Sequence, residues 1–274
     1  MNALVLLVDR DIRESLRNRW LYVYAGSFAL LAALAAWGGS AAASITGTAG
    51  FGPMVAQLVV LVMLFAPLMG LTLGAQSIVR DRERGAMAYL LAQPISRGQY
   101  FAAKIVALAV VLCAAVLFAF AVAALTMGAL GTGGALVDFA VLLGLTWLLS
   151  LCMAAIGALV SSVARKAPTA LGLSVALWLA FTLFGDLGLM ATAMATHLGV
   201  GPLLFATMLN PVEAFKIAGI AQLSGSLDSL GPGGRLATDV FGSWLMPVMV
   251  AAITAWLAAA IGAAWASVRR QDAI

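Results

Sequence analysis

The chain has 274 residues, 64% of them apolar and only 9% charged, with a formal net charge of +4. A soluble domain carries about 25% charged residues, so there is too little charge here to cover a water-facing surface, and the composition points to lipid as the natural solvent. Cys113 and Cys152 sit in apolar runs without Cys-x-x-Cys spacing, which indicates neither a disulfide framework nor a zinc site.

Residues 1–19 read as a cytoplasmic amphipathic helix. Val5, Val8, Ile12, Leu16 and Trp20 fall on one helical face, while Arg10, Arg13, Glu14 and Arg17 lie mostly opposite. Such a helix lies in the membrane interface before the chain turns inward at Trp20; the alternative is a straight extension of the first span into the cytosol. The Ala-x-Ala site in "AAWGGSAAAS" raises a cleaved signal peptide, but the charged segment and the apolar run ahead of it are longer than such a peptide has.

A transmembrane helix needs about 20 mostly apolar residues. Runs at 20–38, 55–79, 103–130, 138–163, 168–190 and 243–267 meet or nearly meet that length. Residues 20–274 therefore read as a single six-helix transmembrane domain, with a charged loop at 80–102 and an external segment at 191–242. The expected fold class is an all-α membrane protein. In the second span Gly70-x3-Gly74 permits close helix approach, and Pro168 suits the start of the fifth.

An even number of spans puts both termini on one side. Arg10, Arg13, Arg17 and Arg19, the loop cations Arg80, Arg82, Arg84, Arg97 and Lys104, then Arg165, Lys166, Arg269 and Arg270 all fall on that side, leaving Lys216 and Arg235 on the other. The positive-inside bias makes the richer side cytoplasmic. The excess charge thus faces membrane and cytosol, and nothing in its placement calls for nucleic acid.

The loop is "RDRERGAMAYLLAQPISRGQYFAAK", residues 80–104. "RDRERG" is a charged cap, "AMAYLLAQ" an apolar helical turn or two, and "PISRGQ" breaks and recharges the chain. A short helix with Met87, Leu90 and Leu91 between charged ends would protrude as a ridge for a cytoplasmic partner, whereas an ordinary solvated loop has no use for Tyr89-Leu90-Leu91.

This stretch resembles the first cytoplasmic loop of type-2 (type V) ABC exporter permeases. Asp81, Glu83, Gly85, Leu90, Leu91, Pro94, Ser96 and Arg97 match the pattern, and Ala86 and Ala88 depart from the Thr and Glu often found there. The resemblance implies a multi-pass protein of the bacterial inner membrane whose loop is a coupling helix docked on a cytoplasmic ATP-binding subunit. Asp81, Glu83, Arg84, Gly85, Leu90, Leu91, Pro94 and Arg97 would be its coupling residues. None of the three lysines, Lys104, Lys166 and Lys216, follows a glycine, so no P-loop is present. ATP and Mg are then expected on a separate ATPase dimer, with no cofactor and no enzymatic activity in this chain.

Farther on, "LFGDLGLM" and "LNPVEAFKI", together with "SLRNRW" before the first span, resemble permease subunits of the transporter that matures nitrous oxide reductase. That resemblance implies a second permease copy, a periplasmic β-helical accessory protein, a copper chaperone, and service to a multicopper enzyme. The cargo would be copper or a sulfur species, or the subunit would relay an ATPase-driven change of shape. An exporter of lipid, drug or polymer, and a non-transporting mechanotransmitting scaffold, remain the alternatives.

Within the external segment Asn210 is a good N-cap, Pro211 suits the first helical position, and Glu213 can complete a capping box. The helix that follows, 211 to about 222, is too short to span and is expected at the external surface or dipping into it. Phe205, Met208 and Phe215 are the expected apolar anchors for a periplasmic partner, with Asn210, Pro211 and Glu213 fixing the helix start. Asp186 is the acid inside the fifth span, near its outer boundary. On one continuous helix it shares a face with Met190, Met194 and His197, and thioether plus imidazole suit a transient Cu(I), although methionine also simply packs well in apolar chains. With one histidine in the chain no His-Glu-x-x-His metal site can be built.

Overall fold

The computed structural model describes residues 3–46, 51–129, 136–185, 205, 207–224 and 244–270, and all regular structure among them is helical. The elements are α1 (Ala3–Leu16), α2 (Arg19–Thr46), α3 (Phe51–Ser77), α4 (Val79–Glu83), α5 (Ala86–Leu91), α6 (Arg97–Ala129), α7 (Leu136–Val163), α8 (Ala167–Leu179) with a π-helical turn at Ala180–Phe184, α9 (Pro211–Ser224) and α10 (Leu245–Arg270). Segments at Gln57–Glu83, Arg97–Ala129, Val137–Val163 and Leu245–Arg270 are long and apolar enough to cross a membrane, and Arg19–Ala35 and Ala167–Leu183 are shorter apolar helices. On α7 two buried side-chain hydroxyls close on the preceding turn: Thr146 donates to Leu142 O at 2.7 Å and Ser150 to Thr146 O at 2.8 Å. No water is then needed to satisfy them.

The centre of the bundle is the seam between α3 and α7, the most extensive packing among the described residues. Glycine makes it possible. A Cβ on Gly70 or Gly74 would run into the backbone carbonyls of Ser150 and Ala154, and one on Gly157 into that of Leu71. The Gly70-x3-Gly74 pair therefore brings two helices of the same chain into backbone contact. Around this seam α10 covers α7, α2 covers α3 and α6, and α1 runs along α6. Phe28 of α2 joins the layers, stacking on Phe65 at 6.0 Å and meeting Phe120 edge-on at 6.2 Å.

α9 lies inside rather than on the surface. It packs against α10, α3 and α7, and Val212, Ala214, Phe215 and Ala218 are each fully buried. Asn210 is its cap: Oδ1 accepts the Val212 N–H at 3.0 Å. The same side chain donates Nδ2 to Phe181 O at 2.6 Å, meeting a carbonyl in the π-helical turn. Among its described residues the fifth apolar run is thus not a uniform α-helix, because Ala180–Phe184 is rewound into a π-helical turn that Asn210 meets.

Candidate functional site

The charged loop becomes α4, a turn, and α5. Two backbone positions shape it. Gly85 has φ +69° with open space around it, so the turn between α4 and α5 needs glycine for its left-handed backbone and not for room. At the far end Ser96 and Gln99 form a capping box that opens α6: Gln99 N–H donates to Ser96 Oγ at 3.1 Å and Ser96 N–H to Gln99 Oε1 at 3.0 Å. Pro94, which cannot continue a helix, stands in the link between them.

Beneath the loop is a buried charge cluster. Lys104 Nζ lies 2.8 Å from Asp81 Oδ2 and 2.9 Å from Asp11 Oδ1, and Tyr100 Oη donates to Asp81 Oδ2 at 2.9 Å. Asp11, Asp81 and Lys104 are all buried. Arg10 Nη2 approaches Asp81 Oδ1 at 3.5 Å, which brings a second cation to the two carboxylates. Burial raises the Asp11 carboxyl above its ordinary value, opposed by the charge and hydrogen bond of Lys104. Tertiary placement makes this cluster: Asp11 comes from α1, Asp81 from α4, and Tyr100 and Lys104 from the first turns of α6.

The remaining loop charges hold the ends of other helices. Arg82 donates to Ser162 O at 3.1 Å and Ala164 O at 3.0 Å, capping the last carbonyls of α7. Glu83 Oε1 accepts the Ala167 N–H at 2.9 Å, placing a carboxylate at the N-terminus of α8. Arg84 pairs with Glu14 of α1 at 2.8 Å, and Arg97 donates to Arg269 O near the end of α10 at 2.9 Å. At the break between α3 and α4, Ser161 Oγ accepts two buried backbone donors, Ile78 N–H at 3.0 Å and Val79 N–H at 2.8 Å. One loop thus binds α1, α7, α8 and α10.

These contacts rearrange the expected coupling residues. Asp81 faces inward, and Leu90 is buried with Met87 against Leu7, Tyr100 and Ala103. Leu90 therefore seats α5 on α1 and α6, while Tyr89 of α5 is 70% accessible. Leu91 ends α5. Glu83 and Arg84 remain accessible while holding α8 and α1.

The expected external anchors separate as well. Phe205 and Leu209 are exposed, Met208 is half-buried and gives its carbonyl to Trp256 Nε1 at 3.0 Å, and Pro211, Glu213 and Phe215 are buried. Glu213 lies 3.7 Å from Lys216 Nζ. The physical reason is that α9 has helices on both sides, so its apolar face has no surface to offer a partner. Gln222 Nε2 donates to Asp138 Oδ1 at 2.9 Å and ties the end of α9 to the start of α7. Asp186, Met190, Met194 and His197 lie outside the described residues. Among the described residues no group of three or more His, Cys, Asp or Glu side chains is placed to hold a metal ion.

Asp11, Tyr100 and Ser161 carry much of this site, and no sequence motif marks them. Asp11 alone leaves a trace, as an acid within the basic stretch of α1.

A family model described as "ABC-2 family transporter protein" matches residues 5–273. A probable ABC transporter permease protein NosY of Pseudomonas aeruginosa is 34% identical over 268 residues, covering 94% of this chain and 92% of that protein. A second protein of the same description, from Stutzerimonas stutzeri, is 29% identical over 286 residues, covering 99% of both chains. The resemblance read from the loop motif extends over nearly the whole sequence, and with four helices among the described residues long and apolar enough to cross a membrane the chain belongs to the ABC-2 family of transporter proteins, as a multi-pass membrane permease.

Proposed function

We propose that the chain is the permease subunit of an ABC transporter that serves copper-site assembly in nitrous oxide reductase, with α4–α5 as the element that receives force from a cytoplasmic ATPase. The observation that supports this reading is the connectivity of the loop: α5 offers Tyr89 outward, and the same loop grips α1, α7, α8 and α10 through Arg84, Arg82, Glu83 and Arg97. A displacement of the loop as a whole would reach the ends of these four helices through those contacts. Six spans, cytoplasmic termini, two permease copies and two ATPases complete the arrangement, and hydrolysis belongs to the ATPase chains. The nitrous oxide reductase assignment rests on the likeness to the two NosY permeases and on "LFGDLGLM" and "LNPVEAFKI".

Relay of a conformational change to a periplasmic partner is favoured over passage of cargo by the glycine seam. Backbone contact between α3 and α7 would couple the movement of these two helices. The exposed Phe205 and Leu209 are the residues proposed to meet a β-helical partner.

The docking assignment is tested with Tyr89→Asp. Because Tyr89 is exposed, the variant keeps its thermal unfolding profile, and it is expected to lose co-purification with the ATPase. Wild-type yield of the complex sinks the assignment. Leu90→Asp is a poor probe, since it buries a charge against Leu7 and Tyr100. The cellular role is tested by deleting the chain and measuring copper in the isolated reductase; a full copper complement would remove that part of the proposal.

A further inference from the structure

A cleft of about 740 Å³ opens between α1 and the α4–α5 loop. This falls within the roughly 300–1,000 Å³ usual for small-molecule sites. Its walls carry Arg10, Arg13 and Arg17 from α1 and Arg80 and Arg84 from the loop. Three carboxylates face them, and each is engaged: Asp9 by Arg13 at 2.9 Å, Glu14 by Arg84 at 2.8 Å, and Asp81 by Lys104 at 2.8 Å. Arg17 and Arg80 make no ion pair within 4.0 Å among the described residues, and a buried nitrogen of Arg10, Nη1, has no hydrogen-bond partner there. The cleft therefore has cationic donors in excess of its carboxylates.

Its position says where a matching anion comes from. Arg17 and Asn18 line the cleft, and the chain passes directly from them to Trp20 and Tyr22, which are 54% and 61% exposed on α2. Aromatic side chains of this kind settle at the headgroup level of a bilayer. On α1 itself Val5 and Leu16 are exposed apolar residues beside the charged face, as in a helix lying in that interface. Guanidinium forks match phosphate oxygens in geometry and charge.

We propose that this cleft binds the phosphate of an anionic phospholipid from the adjoining leaflet, bridging α1 and the α4–α5 loop. Arg17 and Arg80 supply the unmatched charge, and Arg10 Nη1 supplies a further donor.

The test uses the full chain in nanodiscs of phosphatidylcholine with and without phosphatidylglycerol, followed by gentle extraction and native mass spectrometry. Wild type is expected to retain phosphatidylglycerol over phosphatidylcholine. Arg17→Gln with Arg80→Gln is expected to weaken that retention roughly tenfold or more, while Arg80→Lys, which keeps the charge without the fork, falls between. Should the double variant fail to fold, Arg17→Gln alone, at an exposed residue, is expected to show a several-fold loss. Equal retention in wild type and variants overturns the proposal. Stabilisation by inorganic phosphate equal to that by phosphatidylglycerol replaces the lipid with a free anion and also overturns it.

Discussion

Lys104 on α6 and Asp81 on α4 form an ion pair of 2.8 Å with side chains 7% and 2% exposed, at the point where the charged loop meets the bundle. Burying charge is expensive, and such a pair survives only when every partner is present. Here Lys104 also holds Asp11 at 2.9 Å, so one ammonium joins α1, α4 and α6.

Removing that ammonium leaves two buried carboxylates facing each other. Lys104→Met is expected to lower stability by about 3–5 kcal/mol. Asp11→Asn should do much less, because Lys104 keeps Asp81. Thermal unfolding of the purified variants in one detergent measures both, and equal losses would show that the cluster does not act as a shared pair.

The same cluster gives a pH signature. Burial raises the folded Asp11 carboxyl above its ordinary 3.8, so between 3.8 and the folded value the folded chain binds more protons than the unfolded chain. Asp11's contribution is therefore fully present below 3.8 and is lost as pH rises through the folded value. Relative to Asp11→Asn, wild type should lose stability on raising pH across that window. Parallel pH profiles for the two proteins would remove Asp11 as the titrating group.

Ser161→Ala deletes the acceptor for two buried amides, those of Ile78 and Val79. An unsatisfied buried donor costs about 1–3 kcal/mol. The variant should exchange its Ile78 and Val79 amide hydrogens faster than wild type by mass-resolved hydrogen exchange. Unchanged protection at those two amides would mean that the break between α3 and α4 is held by other contacts.

The α3–α7 seam is tested by two alanines. At Gly74 a Cβ collides with backbone of Ala154, which has no side-chain freedom to give, and overpacking of this kind costs about 1–3 kcal/mol or more. Gly144, also on α7, has nothing within 4 Å of an added Cβ, so Gly144→Ala should leave stability unchanged or slightly raised. Gly74→Ala that keeps its unfolding temperature but changes oligomeric state would move the glycine pair to a contact between copies.

Much of the charged loop is legible from its residues. Gly85, Ser96 and Pro94 act locally, through a left-handed turn, a capping box and a missing N–H, and a sequence motif records local chemistry well. Leu90 is not legible in this way, because apolar spacing says that a side chain seeks cover without saying whether a partner or the chain's own α1 provides it. Phe215 departs from its expected place for the same reason. Its helix is short and apolar on one side, and only the positions of α3, α7 and α10 reveal that the other side is covered too.

What the sequence alone determined is the solvent, the apolar helices, the charged side of the bundle and the family motif, because hydropathy, charge placement and turn chemistry act over a few neighbouring residues. The tertiary structure decided which charges face a partner and which face each other. Asp11, Asp81 and Lys104 are far apart in the chain and meet only because α1 lies along α6 beneath α4. Coulomb attraction between buried charges depends on that distance and on the exclusion of water around it, and neither is written in the order of the residues.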